Sequence, residues 1–138
     1  MARLDKIHDA VKNALVNDGW TITDEPLLFV YETQRVLIDI GAEKIFAAEK
    51  EGRKIAVEVK SFLSVAKMTE FYGAIGQYDV YKLFLGQAKP EIKVFLAVSE
   101  KVYKDFFLRK AVDFVVEMKK ISIIVVDVEK EVIVQWIN

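Results

Sequence analysis

The stretch Lys54-Ile-Ala-Val-Glu-Val-Lys-Ser-Phe62 decides how the rest of this chain is read. Alternation along an extended backbone sends Ile55, Val57 and Val59 to one face and Lys54, Ala56, Glu58 and Lys60 to the other. Glu58 and Lys60 therefore project together from an otherwise apolar strand. A lone buried charge is costly unless it is paired or metal-bound, so a carboxylate and an ammonium two residues apart imply partners on that face.

Upstream, residues 45–49 form a second apolar segment, and Glu51-Gly52 between the two reads as a hairpin turn. Residues 36–40 form a third apolar run, carrying one carboxylate, Asp39, and ending at Gly41. These three segments are expected to be the central strands. Before them, Ile7, Val11, Ala14 and Leu15 recur at helical spacing until Asp18-Gly19, a C-terminal glycine signal. Short strands are expected over 20–23 and 27–31, separated by Asp24-Glu25-Pro26.

Downstream, the spacing predicts a helix over 66–85 that Gly86 and Pro90 terminate, then a strongly apolar strand over 92–98. A third helix over 100–119 follows from Val102, Phe106, Phe107, Ala111, Phe114 and Val115, and 121–126 and 132–136 flank Glu129-Lys130 as a closing hairpin. The order α-βββ-α-β-α-ββ, with a fourth strand allowed in the first group, predicts an α/β (α+β) fold: a mixed sheet flanked by helices. With no internal repeat and no low-complexity segment, residues 1–138 are expected to form a single domain.

Hydrophobic residues make up 53% of the chain, with only 6 Gly and 2 Pro, which excludes a disordered or linker-like polypeptide. A mean hydropathy of +0.20 predicts apolar surface left over once one core is filled, and a subunit interface such as a homodimer is the natural place for it. Charge is balanced, 20 Lys+Arg against 21 Asp+Glu, so counterion release from a broad basic surface is not a large binding term. Any contact with DNA must be local or metal-assisted. The absence of cysteine excludes thiolate zinc sites and cysteine nucleophiles and fits a reducing, cytoplasmic setting. No apolar run approaches a membrane span or a signal core, so no membrane partner is expected.

Two carboxylates from neighbouring strands converging on one point are what a hard divalent cation such as Mg2+ or Mn2+ needs, with waters and a phosphate completing its oxygen shell. Asp39 and Glu58 are the candidate pair, and Lys60 beside them is suited to orienting an attacking water and stabilising developing charge. Glu-x-Lys alone is weak: roughly two chance matches are expected in such a composition, and Glu91-Ile-Lys93 and Glu117-Met-Lys119 match as well. Those sit at element ends, whereas Glu58-Val-Lys60 closes an apolar strand. In the following helix Gln77 and Tyr81 stand four apart and share a face, with Gly73 and Ala74 a turn earlier expected to let the helix approach the sheet closely. An amide and a phenol there could position a nucleic-acid strand; tight packing explains them equally.

His8, the single histidine, shares a face with Val11, Lys12 and Leu15 and reads as packed or solvent-edge in preference to a ligand. Trp20, Trp136 and Phe106-Phe107 read as core or interface in preference to base-stacking platforms. Lys101, Lys104, Arg109, Lys110, Lys119 and Lys120 suit a solvated helix face as well as phosphate contacts.

Asp39, Glu58-Val-Lys60 and Gln77-x-x-x-Tyr81, behind an N-terminal helix, resemble the PD-(D/E)XK nuclease superfamily, the Gln-Tyr pair being similar to its RecB-like exonuclease branch. More extensively, the chain resembles the XisH family of excision-controlling factors named for the fdxN element. The resemblance lies in His8-Asp-Ala-Val-Lys-Asn-Ala-Leu15, Asp18-Gly-Trp-Thr-Ile22, Ala47-Ala-Glu-Lys50, 54–62 and Val132-Ile-Val-Gln-Trp-Ile137. It implies a restriction-endonuclease-like fold and a role in programmed DNA rearrangement, with DNA, a site-specific recombinase and an XisI-like companion protein as partners.

Two departures bear on the site. Ile38-Asp39 stands where the nuclease motif has Pro-Asp. The step from Asp39 to Glu58 is also long: with Glu58 facing Ile45 across a hairpin, a straight chain back to Asp39 would separate the acids by roughly 20 Å at about 3.3 Å per residue. Either the chain bends near Gly41-Ala-Glu-Lys44, or Glu43 replaces Asp39 as the second ligand; Glu49, near the turn, is the weakest candidate. Two functions are carried forward. One is a Mg2+- or Mn2+-dependent endonuclease using Asp39, Glu58, Lys60, Gln77 and Tyr81; the other is a catalytically silent accessory protein that controls excision by binding XisI, a recombinase or DNA.

Overall fold

A computed structural model describes residues 3–31, 34–37, 39–40 and 43–138, and side chains over 6–27 and 45–138. In helix α1 (Arg3–Asn17), Ile7, Ala10, Val11, Ala14 and Leu15 are buried, the i, i+3, i+4, i+7 stripe of a helix lying on a sheet. The chain then forms strands β1 (Thr21–Asp24), β2 (Leu28–Tyr31), β3 (Gln34–Leu37), β4 (Asp39–Ile40), β5 (Glu43–Lys50) and β6 (Arg53–Val59). Helix α2 (Lys67–Ala88), strand β7 (Ile92–Ser99), short helix α3 (Glu100–Val102), a π-helical turn (Tyr103–Phe107), helix α4 (Lys110–Met118) and strands β8 (Ile123–Asp127) and β9 (Val132–Ile137) complete it.

The expected hairpin joins β5 to β6: Lys50 pairs with Arg53, and Glu51 and Gly52 both have positive φ, 53° and 80°, as a two-residue turn matched to strand twist requires. Among the described residues the sheet runs β1-β5-β6-β7-β8-β9, with β4 pairing β5 off this path and β2-β3 forming a separate two-stranded ribbon. The β6-β7 and β7-β8 pairs are parallel, and the β1-β5, β5-β6 and β8-β9 pairs antiparallel.

Both sheet faces are covered. Ala56, Val94, Leu96, Val98, Ile123 and Val125 pack under Phe71, Tyr78 and Leu85 of α2 and under Phe106, Phe107 and Val112. Ile55, Val57, Val59, Phe95, Ala97, Ile124 and Val126 pack against α1. The result is three layers with a mixed sheet between helices, the fold class expected. The Tyr78 hydroxyl accepts a hydrogen bond from the Ser122 N–H at 3.0 Å and donates to the Val94 carbonyl at 3.4 Å, tying α2 to the sheet.

Three local expectations are corrected. Residues 36–40 are not one central strand: 34–37 pair with 28–31 in the ribbon and 39–40 pair with β5, while Ile38 lies outside the described residues. One edge of β5 is taken by β6; β1 pairs with residues 47–49, and the Leu27 N–H donates to the Ile45 carbonyl at 2.9 Å. The local β2-β3 pairing also closes a much shorter loop than a place in the sheet would. Six strands therefore precede α2 among the described residues.

Gly86 does not end α2, which runs to Ala88. Buried Leu85 holds that turn, and the stop comes where Lys89 must leave helical geometry before Pro90. Residues 100–119 are not one helix. Adjacent Phe106 and Phe107 are both fully buried, which the wider π turn accommodates, and extended Arg109 restarts the chain as α4 with Val112 and Val116 inward.

Candidate functional site

Glu58 lies one residue before the end of β6, opposite Ile45 of β5 and beside Leu96 of β7, and only 3% of its surface is exposed. A carboxylate in that apolar setting requires compensation. Part of it is local: Lys60 Nζ is 3.3 Å from Glu58 Oε1. The Lys60 N–H donates to the Ala97 carbonyl at 3.0 Å, so the β6-β7 ladder continues through Lys60 and sets it on the Glu58 face.

Beyond Lys60 the chain turns out of the sheet. Phe62 has φ 50°, a left-handed conformation that costs a side-chain-bearing residue about 1–2 kcal/mol. Its ring is held against Phe106 and Phe107, with centroids 5.7 and 5.3 Å away. The Ser64 N–H donates to Glu70 Oε1 at 2.8 Å, so the linker is also tied to the first turn of α2. Between linker and helix lies a cleft of about 430 Å³ lined by Lys60, Ser61, Glu70, Gly73 and Gln77.

The structure thus brings Glu58, Lys60 and Gln77 to one locality and places Tyr81, a turn further along α2, in the core with Leu27 and Ile45. Glu70 and Ser61 are cleft residues that the sequence reading missed. Glu70 had a signal, since it stands seven residues before Gln77 and so shares its helix face. Gly73 corrects an expectation: a Cβ built there meets nothing within 4 Å, so it opens the cleft, and buried Ala74 makes the close approach to the sheet.

The chain does fold back between Asp39 and Glu58. Asp39 pairs with Lys44 and Ile40 with Glu43, while Ile45 pairs with Glu58. Asp39 is therefore one register position from the Glu58 level, and Glu43 is two positions from Ile45, as Lys60 is from Glu58. The side chains of both acids lie outside the described residues. Among the described residues no three His, Asp or Glu side chains gather as a metal site.

His8 packs edge-on against Phe46, ring centroids 5.5 Å apart, with Nε2 3.9 Å from Glu25 Oε1. Trp20, Phe106 and Phe107 are core residues, and half-buried Trp136 packs on Trp20 and Phe95. Glu49 pairs with Lys54 near the hairpin turn, remote from Glu58 along the strands. Among the described residues no helix is long and apolar enough to cross a membrane.

The family model described as XisH protein matches residues 1–134. The chain belongs to the XisH family. It is similar to the crystal structure of an XisH family protein from Nostoc punctiforme, at 41% identity and a TM-score of 0.88, covering 97% of this chain and 100% of that one. It is equally similar to an fdxN element excision controlling factor from Anabaena variabilis, again at 41% identity and TM-score 0.88, over 97% of this chain and 99% of that one. Among curated proteins none matches. In this chain a buried acid and a lysine thus stand at the end of a central strand, the lysine lining an open cleft.

Proposed function

We propose that this XisH protein is a Mg2+- or Mn2+-dependent phosphodiesterase of the PD-(D/E)XK type, acting on DNA during excision of a genomic element. The observation that carries the proposal is the Glu58-Lys60 pair: a carboxylate 3% exposed and an ammonium 3.3 Å away whose residue lines a cleft. A desolvated ion pair returns little net stability for what its burial costs, so folding alone gives little reason to keep one beside a cleft.

The donor chemistry suits a hard cation: carboxylate oxygens, with Glu58 and either Asp39 or Glu43 as the residues that would hold it. When bound, the ion would supply positive charge that polarises water and phosphate oxygens. Lys60 Nζ would hold the attacking water through a hydrogen bond and offset negative charge developing on the phosphoryl oxygens. Gln77, on the opposite wall, would donate its amide to the DNA backbone, while Tyr81 beneath it supports that helix turn. The balanced charge of the chain fits an enzyme whose DNA contact is confined to this cleft.

A second reading has support of its own. The name of the Anabaena relative speaks of control of excision. In this reading the chain works by binding an XisI-like companion, a recombinase or DNA, without cleaving.

Incubation of supercoiled and linear DNA with Mg2+ or Mn2+, alone and with the companion, separates the two. Nicking that Lys60→Ala and Glu58→Gln abolish supports the phosphodiesterase. Intact DNA in every condition, with no metal-dependent rise in melting temperature, overturns it in favour of the accessory reading.

A further inference from the structure

We infer that the outer surface of α2 and α4 is the contact between two copies of this chain, crossing about a two-fold axis at Gly76. The inference is independent of the proposed chemistry. Tyr72, Gly76, Val80 and Leu83 follow one another at four-, four- and three-residue steps, which places them on one helix face opposite the core positions Ala74, Tyr78 and Leu85. That face is open: Tyr72 is 66%, Val80 45% and Leu83 72% exposed. On α4, Phe114 and Met118 are four apart and 61% and 68% exposed. Asp79 and Lys119 join the two helices by an ion pair of 2.9 Å, so the apolar stripes lie side by side on one layer.

A surface helix is ordinarily polar on its outer side. Here the apolar area is on the order of 500 Å², near the top of what a monomer leaves uncovered and a large part of the ~800 Å² per partner in a standard interface. Gly76 is the second clue. Glycine in an exposed helix costs about 1 kcal/mol relative to alanine, and a Cβ at Gly76 meets nothing within 4 Å, so nothing described in this chain requires it. The same open space is found at Gly73 and Gly86; Gly76 differs in standing at the centre of the apolar stripe, where a second copy would use it.

The pattern is self-complementary. An apolar residue stands four positions before Gly76 and another four after it, so an antiparallel copy centred on Gly76 sets Tyr72 against Val80 of its twin. Asp79, the one charge on this stretch of the stripe, is neutralised by Lys119 within its own chain, which removes like-charge repulsion across the axis. The apolar character argues against a nucleic acid as the occupant.

Sedimentation velocity on the full chain over a wide concentration range tests this. Wild type is expected at twice the mass of one chain. Gly76→Glu sets two carboxylates across the axis and should weaken association about 100-fold, while its helix content stays at that of wild type, because glutamate favours the helix over glycine. Leu83→Glu, at a side chain already exposed, should do the same and serves if Gly76→Glu does not fold. Val134→Lys on the outer strand β9 should leave the dimer intact. A wild type that stays a single chain up to its solubility limit, a dimer indifferent to both glutamates, or one lost only in Val134→Lys, would each overturn the inference.

Discussion

Lys60 Nζ lies 3.3 Å from Glu58 Oε1 because the two residues occupy consecutive positions on one face of β6 and its continuation, so the pleat of the strand makes the pair. Burial makes it expensive to hold. Lys60→Met should destabilise the protein by about 1–3 kcal/mol near neutral pH, and the double variant Glu58→Gln/Lys60→Met should recover most of that loss. Urea denaturation of the four proteins in the cycle measures it. A double variant as stable as wild type yet inactive on DNA would show that the charges serve function at no benefit to folding.

Tyr78 is the buried fastening between α2 and the sheet. Tyr78→Phe keeps the ring but leaves the Ser122 N–H without its acceptor, so a loss of about 1–3 kcal/mol is expected. Thermal unfolding beside wild type at the same protein concentration provides the comparison; equal melting temperatures would contradict the assignment.

Phe106 touches Phe62, Phe71 and Phe107. Phe106→Ala should cost about 3–5 kcal/mol, as for a large core ring. Because Phe62 is held in a left-handed conformation by this cluster, amide hydrogen exchange over 61–66 should accelerate before that of β6 and β7. Uniform acceleration across the sheet would argue that the linker has no separate dependence on the cluster.

The Tyr103 phenol is raised above its ordinary value, first by burial, which disfavours the phenolate, and then by the nearby Asp113 carboxylate. The folded chain therefore holds this proton more tightly than the unfolded chain, and the stability it contributes is lost as pH rises above about 10. Ultraviolet titration of wild type against Tyr103→Phe should show one late-titrating phenol in the difference, and Asp113→Asn should move it earlier. A difference titrating at the ordinary phenol value would refute this.

Local patterns were legible where one periodicity dominated. The stripe of α1, the Glu51-Gly52 hairpin, the face assignment of Glu58 and the Ile45-Glu58 register are each set by side-chain alternation or by a turn that only certain residues make. The break at Phe106-Phe107 was not legible in that way, because two adjacent rings satisfy a helical pattern only if the turn widens, and the reason to widen it is Phe62 and Phe71 from elsewhere in the chain. The inward role assigned to Gly73 failed similarly: a small residue on a helix permits close approach but does not say from which side.

By itself the sequence determined a mixed sheet flanked by helices, the strand carrying Glu58 and Lys60, and the need for apolar surface to be covered, since these follow from period, composition and the cost of buried charge. Only the tertiary structure decided that 36–40 divides between a ribbon and the sheet, that Asp39 returns to within one register position of Glu58, and that Glu70 shares a cleft with Lys60. Those depend on which strand edges are already occupied and on where the chain turns back, and such contacts between distant residues have no trace in local periodicity.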